Sequence, residues 1–543
     1  MSGWLQHLVI LPILIPLLAG AVMIPLEDQR GQVRGAIGVL SAVAMLVVAV
    51  LLLLRADAGG ADAVSVYRLG NWPAMFGIVL VADRLAALML VLTAVLGLAA
   101  LLFSLSRWQR VGAHFQALFQ FQLMGLNGAF LTGDLFNLFV FFEVLLAASY
   151  GLALHGSGVA RVKAGLHYIA INLAASLLFL IGVSMIYGVG GTLNMADLAV
   201  RIPQLPPADR PLMEAGAALL GMAFLVKAAM WPLGFWLPRT YAAASPPAAA
   251  IFSMMSKVGV YAVLRLSLLL FGDDAGSSAG FGGSWLLAGG IMTIAFGAIS
   301  VLATQDLSRL AGASVLISSG TLLAAVGAGQ VSVTGGALYY LATSSLAIGA
   351  FFLLIDLLER GRDVGADVLA VTLEAFGDGE EDDEDDDEVG VAIPATMAVL
   401  GLSFLCCALL LAGLPPLSGF VAKFAMLSGI LNPQGLGRGP AAVSTGGWAL
   451  LLALVLSGLA TVIAMTRAGI RVIWAASDRV VPRVGVVEIA PVLLLLGTCI
   501  GMTAAAGPVL RYMDQAAIAL HAPEDYVRQV TGRELSAPAG AAR

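Results

Sequence analysis

Long apolar runs separated by short polar segments make up most of this chain. A helix that crosses about 30 Å of hydrocarbon needs about 20 apolar residues, each rising 1.5 Å. Fourteen runs of about that length lie near residues 4–24, 35–54, 84–104, 113–132, 134–154, 163–187, 214–236, 247–271, 284–303, 310–329, 333–358, 394–431, 447–474 and 487–509. The runs lack the alternation of barrel strands, so a closed β-barrel is excluded. The pattern predicts an all-α membrane protein with 14 transmembrane helices.

Two of the polar connections differ from the rest. Residues 55–83 contain two β-prone stretches, Val64 to Leu69 and Met75 to Val81, around a Gly70-Asn71 turn, which predicts a β-hairpin. Residues 359–392 contain an acidic run from Asp378 to Glu388. Such a run repels itself and favours a solvated, disordered loop. A cation-collecting or partner-docking segment is the alternative.

Composition agrees with the pattern and excludes several classes of function. The 543 residues are 60% hydrophobic and 11% charged, against roughly 45–50% and 25% in soluble domains. A net charge of −6 argues against a nucleic-acid partner, because such binding depends on clustered Lys and Arg. Cys406, Cys407 and Cys499 lie in apolar runs without metal-ligand spacing. We therefore expect no disulfide framework, no iron–sulfur cluster and no cofactor.

The distribution of basic residues predicts the orientation. Fourteen Lys and Arg follow odd-numbered runs, whereas six follow even-numbered runs, mostly in longer connections. The positive-inside rule then places the odd-numbered connections in the cytoplasm and both termini outside. The first run has no preceding basic residue, which favours a retained span over a cleaved signal peptide.

Charged residues inside the apolar runs are the candidate functional groups. Of the four lysines, Lys227, Lys257 and Lys423 lie in predicted spans. Glu143 lies about 14 Å and Lys257 about 15 Å into their helices, close to mid-membrane. Ionised groups at that depth cost at least about 2.5–3.5 kcal/mol, and they are usually functional, paired or hydrated. A desolvated lysine can release its proton, whereas arginine stays protonated, so the lysines suit proton movement. The alternative is a purely structural buried ion pair.

Proline interrupts two of the lysine-bearing spans. Pro232 follows Lys227 by five residues, and the Pro415-Pro416 pair precedes Lys423. Backbone groups freed by such breaks must be satisfied by protein or water, which suits an ion path. Kinks that serve only helix packing remain the alternative.

Hydroxyl side chains in the tenth and eleventh spans are weaker candidates. Thr343, Ser344, Ser345 and Ser318 could line a hydrated path between Lys257 and Lys423, together with Ser314 and Ser319. Ser and Thr equally often bond back to their own helix, so both interpretations stay open.

Four segments together resemble a known family. They are Asp134 to Glu143, Phe224 to Pro238, Ser256 to Arg265 and Gly413 to Lys423. They are similar to the proton-translocating antiporter-like family shared by Mrp-type multisubunit sodium/proton antiporters and respiratory complex I. The eleventh span and the segment 522–530 are similar to the D-type subunits of the Mrp branch, although the acidic insert departs from their pattern.

The resemblance implies a fold with two inverted five-helix repeats. Spans 4–8 and 9–13 would form the repeats, with spans 7 and 12 broken. The chain would then divide into residues 1–112 with three helices and the outer hairpin, 113–271 with the first repeat, 284–474 with the second repeat and the acidic loop, and 487–543 with the last helix and tail.

It also implies roles for the buried charges. Glu143 would pair with Lys227, Lys257 would relay protons, and Lys423 would end a hydrophilic axis at mid-membrane. The implied protein is a secondary transporter subunit of a bacterial cell membrane, exchanging Na⁺ for H⁺ beside other Mrp membrane subunits and contributing to pH homeostasis. The sodium site is not assigned. Alternatives are a proton-pumping subunit of complex I or a related hydrogenase, and a stand-alone transporter or inert scaffold.

Overall fold

The computed structural model describes residues 5–26, 31–59, 63–74, 77–108, 114–360, 395–433, 442–474 and 484–532. Within these ranges the chain is almost entirely helical. The first ten helices are α1 (Leu11–Met23), α2 (Gly31–Ala58), α3 (Arg84–Ser106), α4 (Phe115–Leu131), α5 (Leu135–Ala153), α6 (Val159–Gly190), α7 (Met195–Arg201), α8 (Arg210–Lys227), α9 (Leu237–Ala243) and α10 (Pro246–Phe271). The others are α11 (Gly283–Ala303), α12 (Leu307–Ala328), α13 (Val331–Glu359), α14 (Ala395–Ala412), α15 (Ser418–Leu431), α16 (Thr445–Gly469), α17 (Val486–Ala504), α18 (Ala506–His521) and α19 (Glu524–Thr531).

The helical, membrane-spanning character predicted from the apolar runs is confirmed. In the described ranges, 11 helices are long and apolar enough to cross a membrane, and α1 and α15 are shorter apolar helices. The runs predicted near 113–132 and 214–236 correspond to α4 and α8, which are outside this set. The total of 14 spans remains a prediction.

Three helices form the centre of the bundle. In α10, α12 and α13 nearly every residue is buried, so these helices are surrounded by protein on all sides. Peripheral helices instead expose one apolar face, as α6 does through Leu166, Leu173 and Leu177. Apolar residues on an outer face are expected where the solvent is hydrocarbon.

The predicted β-hairpin is present, but its second strand begins later than expected. Strand β1 (Ser65–Arg68) pairs antiparallel with β2 (Val79–Ala82), and Arg68 lies opposite Val79. Gly70 and Asn71 both have positive φ, in a short 3₁₀ turn rather than a two-residue hairpin loop. The described residues between the strands, 69–74, 77 and 78, are outside the sheet, and all four residues of β2 are buried. Met75 and Phe76, which the sequence placed in the second strand, lie outside the described residues.

The two ends of the bundle differ in character. The hairpin face carries β1, β2, the start of α3, the end of α10, and helices α18 and α19. The opposite end, here called the basic face, carries arginines that donate to main-chain carbonyls near the ends of neighbouring helices. Arg467, for example, donates to the Leu302 carbonyl at the end of α11, at 2.6 Å. His7, near the start of the described chain, contacts Tyr67 of the hairpin. The first and last described segments thus both lie on the hairpin face.

Two helices stop at prolines within the bundle. Helix α8 ends at Lys227, and helical structure resumes only at Leu237, with Pro232 between them. Helix α14 ends at Ala412 and α15 begins at Ser418, with Pro415 and Pro416 between them. Proline lacks the amide donor that a continuing helix needs, so the backbone turns at these points.

The last predicted run, 487–509, is divided. Helix α17 ends at Ala504, and the amphipathic helix α18 follows from Ala506 and packs against α13. The acidic segment 378–388 lies outside the described residues.

Candidate proton relay

Lys257 lies at the centre of the bundle. Its side chain is fully buried in the middle of α10, 0% exposed. Its ammonium donates a hydrogen bond to Ser318 Oγ on α12 at 2.7 Å. Among the described residues, Ser318 is its only hydrogen-bond partner. A buried cation with one neutral partner is costly to keep charged, so its protonation responds strongly to neighbouring charges.

A hydroxyl pair continues from Lys257 towards the second half of the chain. Ser318 Oγ lies 2.8 Å from Ser344 Oγ on α13. Thr343 and Ser345 are buried beside it, and their hydroxyls have no partner among the described residues. The hydroxyl of Ser319 on α12 is likewise buried and has no partner among the described residues. Buried polar groups normally have hydrogen-bond partners, so these unpartnered hydroxyls could bind internal water.

Lys227 is the last residue of α8 and is 5% exposed. Its Nζ makes no hydrogen bond within the described chain and lies 5.1 Å from the centre of the Phe142 ring. Glu143, the next residue on α5, is near enough to interact electrostatically with Lys227 without contacting it directly. The Glu143 carboxylate accepts a hydrogen bond from Ser176 of α6 instead. The two charges are therefore coupled but separated.

Lys423 contacts the end of the other broken helix. Its Nζ donates to the carbonyl of Ala412, the last residue of α14, at 2.7 Å. A Cβ at Gly413 would lie 2.5 Å from Lys423 Cδ, and one at Gly458 would lie 3.3 Å from Nζ. The lysine stem thus passes between two glycines that leave space for it.

Both broken helices place a lysine at a helix C-terminus. The last carbonyls of a helix lack intrahelical donors and carry partial negative charge. Lys227 is itself in the last turn of α8, and Lys423 binds the last carbonyl of α14. A cation there gains typically 0.3–1 kcal/mol, and up to about 2 kcal/mol when partly buried. The breaks thus supply the electrostatic support that the membrane interior lacks.

Close backbone contacts order the lysines across the bundle. A Cβ at Gly259 of α10 would lie 2.7 Å from the amide nitrogen of Ala228, so the end of α8 rests on α10 beside Lys257. A Cβ at Gly336 of α13 would lie 2.6 Å from the amide nitrogen of Met426, three residues beyond Lys423. Helix α13, which supplies Ser344, therefore stands between Lys257 and Lys423. The order of elements is α5, α8, α10, α12, α13 and α15.

The structure also contains a buried ion pair that the sequence analysis did not identify. Arg265 donates to both carboxylate oxygens of Asp83, at 2.5 and 2.7 Å. Burial raises the pKa of Asp83, but the charge and hydrogen bonds of Arg265, together with the hydrogen bond from the Ala86 amide, hold it below its usual range. Arg265 stands in the last segment of α10, but its partner is 182 residues away, and no local pattern connects them.

Other polar residues have structural explanations. Asp134 caps α5, since its carboxylate accepts from the amides of Phe136 and Asn137. His167 is exposed, and its Nδ1 lies 2.8 Å from the Lys163 carbonyl one turn earlier. The described residues contain no group of three or more His, Cys, Asp or Glu side chains that could hold a metal ion.

Comparison with known proteins places the chain in a family. Residues 132–436 match the family described as NADH:quinone oxidoreductase/Mrp antiporter, TM. The match spans more than half of the chain and includes Glu143, Lys227, Lys257 and Lys423. The chain therefore belongs to this family of transmembrane proteins.

Full-length relatives agree with that assignment. The chain is 59% identical over 540 residues to the probable K(+)/H(+) antiporter D subunit of Rhizobium meliloti (strain 1021), covering 99% of each chain. It is 33% identical over 536 residues to the Na(+)/H(+) antiporter D subunit of Alkalihalophilus pseudofirmus, covering 97% of this chain and 99% of the relative. A chain in the structure of the Mrp complex from Dietzia sp. DQ12-45-1b matches with a TM-score of 0.81 at 25% identity, over 98% of this chain and 100% of that one.

Proposed function

We propose that this chain is a proton-translocating subunit of a multisubunit monovalent cation/proton antiporter. Three of its four lysines are buried at or between helix breaks, while the fourth, Lys163, is exposed on the basic face. That partition is the observation that carries the proposal, because a buried ammonium is retained at a cost only where its charge is used. The 59% identity to the D subunit of an antiporter supports the same class.

The proposed path runs through Glu143, Lys227, Lys257 and Lys423, with Ser318 and Ser344 between the last two. Two charges about 10 Å apart interact by about 1.7 kcal/mol at an effective dielectric constant near 20. A proton gained or lost at one site therefore changes the occupancy of the next. Glu143 favours the charged form of Lys227 when they are close, and their separation drives the proton towards Lys257. Lys423 exchanges with one side of the membrane.

The proposed architecture has 14 spans, with spans 4–8 and 9–13 as inverted repeats. The two helix breaks, one in each half, support it. The basic face would then lie in the cytoplasm of a bacterial cell and the hairpin face outside, with both termini outside. Other Mrp-type membrane subunits would surround the chain in the bilayer.

The transported cation is proposed as monovalent. The 59% relative is named for potassium and the 33% relative for sodium, and the carboxylates of the described spans form no oxygen cage around Glu143. The cation site is not assigned. Because the two relatives are named for different cations, sodium and potassium are tested separately.

The test is exchange by the complete complex in everted membrane vesicles, followed as the pH change after addition of Na⁺ or K⁺. Lys227→Ala, Lys257→Ala and Glu143→Ala are each expected to abolish exchange without blocking assembly. Lys163→Ala is the matched control, since it removes an exposed lysine. Exchange retained by an assembled Lys257→Ala complex would refute the relay.

The alternative of a redox-driven pump shares the same family description. It predicts co-purifying quinone and iron–sulfur subunits, whereas the antiporter predicts small membrane subunits. Mass spectrometry of the mildly solubilised complex distinguishes the two.

A further inference from the structure

One face of α10 carries three polar residues in line. Lys257, Tyr261 and Arg265 are spaced four residues apart, so their side chains leave the helix one above the other. Each step advances about 6 Å along the axis, from mid-membrane towards the hairpin face. All three are at least nine-tenths buried.

Their hydrogen bonds have a fixed direction. Arg265 Nη2 donates to the hydroxyl of Tyr261 at 3.3 Å. Tyr261 in turn donates its only proton to the carbonyl of Phe130, near the end of α4, at 2.6 Å. Arg265 Nη1 and Nη2 also donate to the two carboxylate oxygens of Asp83.

A cavity on the hairpin face ends at this group. It has a volume of about 340 Å³, and its lining includes Asp83, Arg84, Arg265 and Tyr526. The Tyr526 ring lies 5.2 Å from the guanidinium carbon of Arg265. A space of this size holds several water molecules. Water on the hairpin face can thus approach Arg265, while Lys257 lies about 12 Å deeper by the helical rise.

We propose that Arg265 and Tyr261 form a proton block that isolates Lys257 from the hairpin face. This deepens the proposed function and rests on it: protons exchanged with that side would have to pass through Lys423. The described residues offer Lys257 a bonded route only in the other direction, through Ser318 and Ser344.

The chemistry of the two groups supports a block. A proton moves along a hydrogen-bonded chain only if each member can accept one and pass one on. Guanidinium has donors and no acceptor, and it stays protonated in proteins. Its ion pair with Asp83 holds this non-accepting group at the end of the cavity. Tyr261 does not carry a proton past Arg265, because its hydroxyl donates its proton to the Phe130 carbonyl and not towards Lys257.

Arg265→Lys is the decisive variant. Lysine keeps the charge and the partner Asp83, and hence the contact between α3 and α10, but an ammonium can release its proton. The assay is passive proton leak through the whole complex in everted vesicles without Na⁺ or K⁺. We expect a leak several-fold above the parent for Arg265→Lys and a larger one for Arg265→Gln, both removed when Lys257→Ala is added.

Two controls separate charge from packing. Tyr526→Ala uncovers the guanidinium without removing it and is expected to leave the leak at the parent rate. Arg68→Gln changes another hairpin-face arginine, which donates to the main-chain carbonyls of Gln529 and Val530 on α19, and should also not leak. A leak in Tyr526→Ala equal to that of Arg265→Lys would show that packing forms the barrier.

A second measurement does not depend on transport. A cysteine at Ser318 reports whether small cations reach the Lys257 site, and Ag⁺ added from the hairpin side is the probe. We expect Ser318→Cys to react at least about tenfold faster when combined with Arg265→Gln than alone, because the guanidinium that separates the cavity from Lys257 is removed. Equal rates, or no leak in assembled Arg265→Lys, would overturn the block. Exchange retained by Lys257→Ala would instead overturn the proposed function.

Discussion

The ammonium of Lys423 binds the carbonyl of Ala412 across the gap between α14 and α15, at 2.7 Å. The prolines at 415 and 416 end one helix and expose this carbonyl, and the chain then returns to bring the lysine onto it. The helix break and the buried charge are therefore parts of one feature. This relationship, together with the contacts of Lys257 and Gly259, leads to four predictions.

Gly413→Ala should impair exchange with little effect on assembly. Gly413 has φ of +76°, and an added Cβ would lie 2.5 Å from Lys423 Cδ. The backbone strain costs about 1–2 kcal/mol, and the clash displaces the ammonium from the Ala412 carbonyl. The measurement is cation-driven proton exchange normalised to complex content. Gly401→Ala on α14 is the control, because its Cβ would meet nothing closer than 3.9 Å. Equal activity of the two variants would argue against the Lys423 geometry.

Lys423→Arg should assemble but exchange poorly. The substitution keeps the positive charge at the end of α14, but guanidinium does not release its proton at physiological pH. Initial exchange rates across a range of pH test this, since no pH between 6 and 9 should restore activity. Near-normal transport would contradict proton transfer through this residue.

Ser318→Ala should lower exchange more than Ser314→Ala. Both serines are buried on α12, but Ser314 bonds back to the Leu310 carbonyl of its own helix, whereas Ser318 accepts from Lys257. Removing that acceptor leaves a buried ammonium unpartnered, at a cost of about 1–3 kcal/mol or more. This corresponds to roughly a tenfold change in the occupancy of one state. Parallel rate measurements on the two variants check it, and a larger loss in Ser314→Ala would refute the assigned role.

Gly259→Ala should destabilise the folded chain itself. Its Cβ would lie 2.7 and 2.8 Å from backbone atoms of Ala228 and Phe224. Backbone cannot move aside as a flexible side chain can, so α8 and α10 must separate, at about 1–3 kcal/mol. The thermal stability of the purified complex should fall, while Gly221→Ala on α8, whose Cβ would meet no atom within 4 Å, should not change it. Unaltered stability would contradict the close helix contact.

Much of the helical architecture could be predicted because the bilayer imposes it. A span needs about 20 apolar residues and must satisfy its own backbone, so run length alone indicates a helix. The predicted run 487–509 was wrong at its end, because α17 stops at Ala504 and α18 turns onto the hairpin face. The start of β2 was also misplaced, since its register depends on packing rather than on local sequence.

The candidate site was predictable only in part. Lysines in apolar runs are conspicuous in one dimension because burying a charge is expensive. The partner of each lysine was not visible: Ser318 is 61 residues from Lys257, and the acceptor of Lys423 is a backbone carbonyl. The pair of Asp83 and Arg265 could not be predicted for the same reason, because each residue alone fits an ordinary membrane interface.

The sequence by itself determined the class of the protein, since hydrophobic run lengths, buried lysines and prolines are one-dimensional features set by the energetics of the membrane. Only the tertiary structure decided which groups touch. It placed Lys257 on Ser318, left Lys227 coupled to Glu143 without contact, and set Arg265 between Lys257 and the hairpin-face cavity. Hydrogen bonds act over about 3 Å, and the pairing of distant residues at that range is fixed by helix packing that no local pattern records.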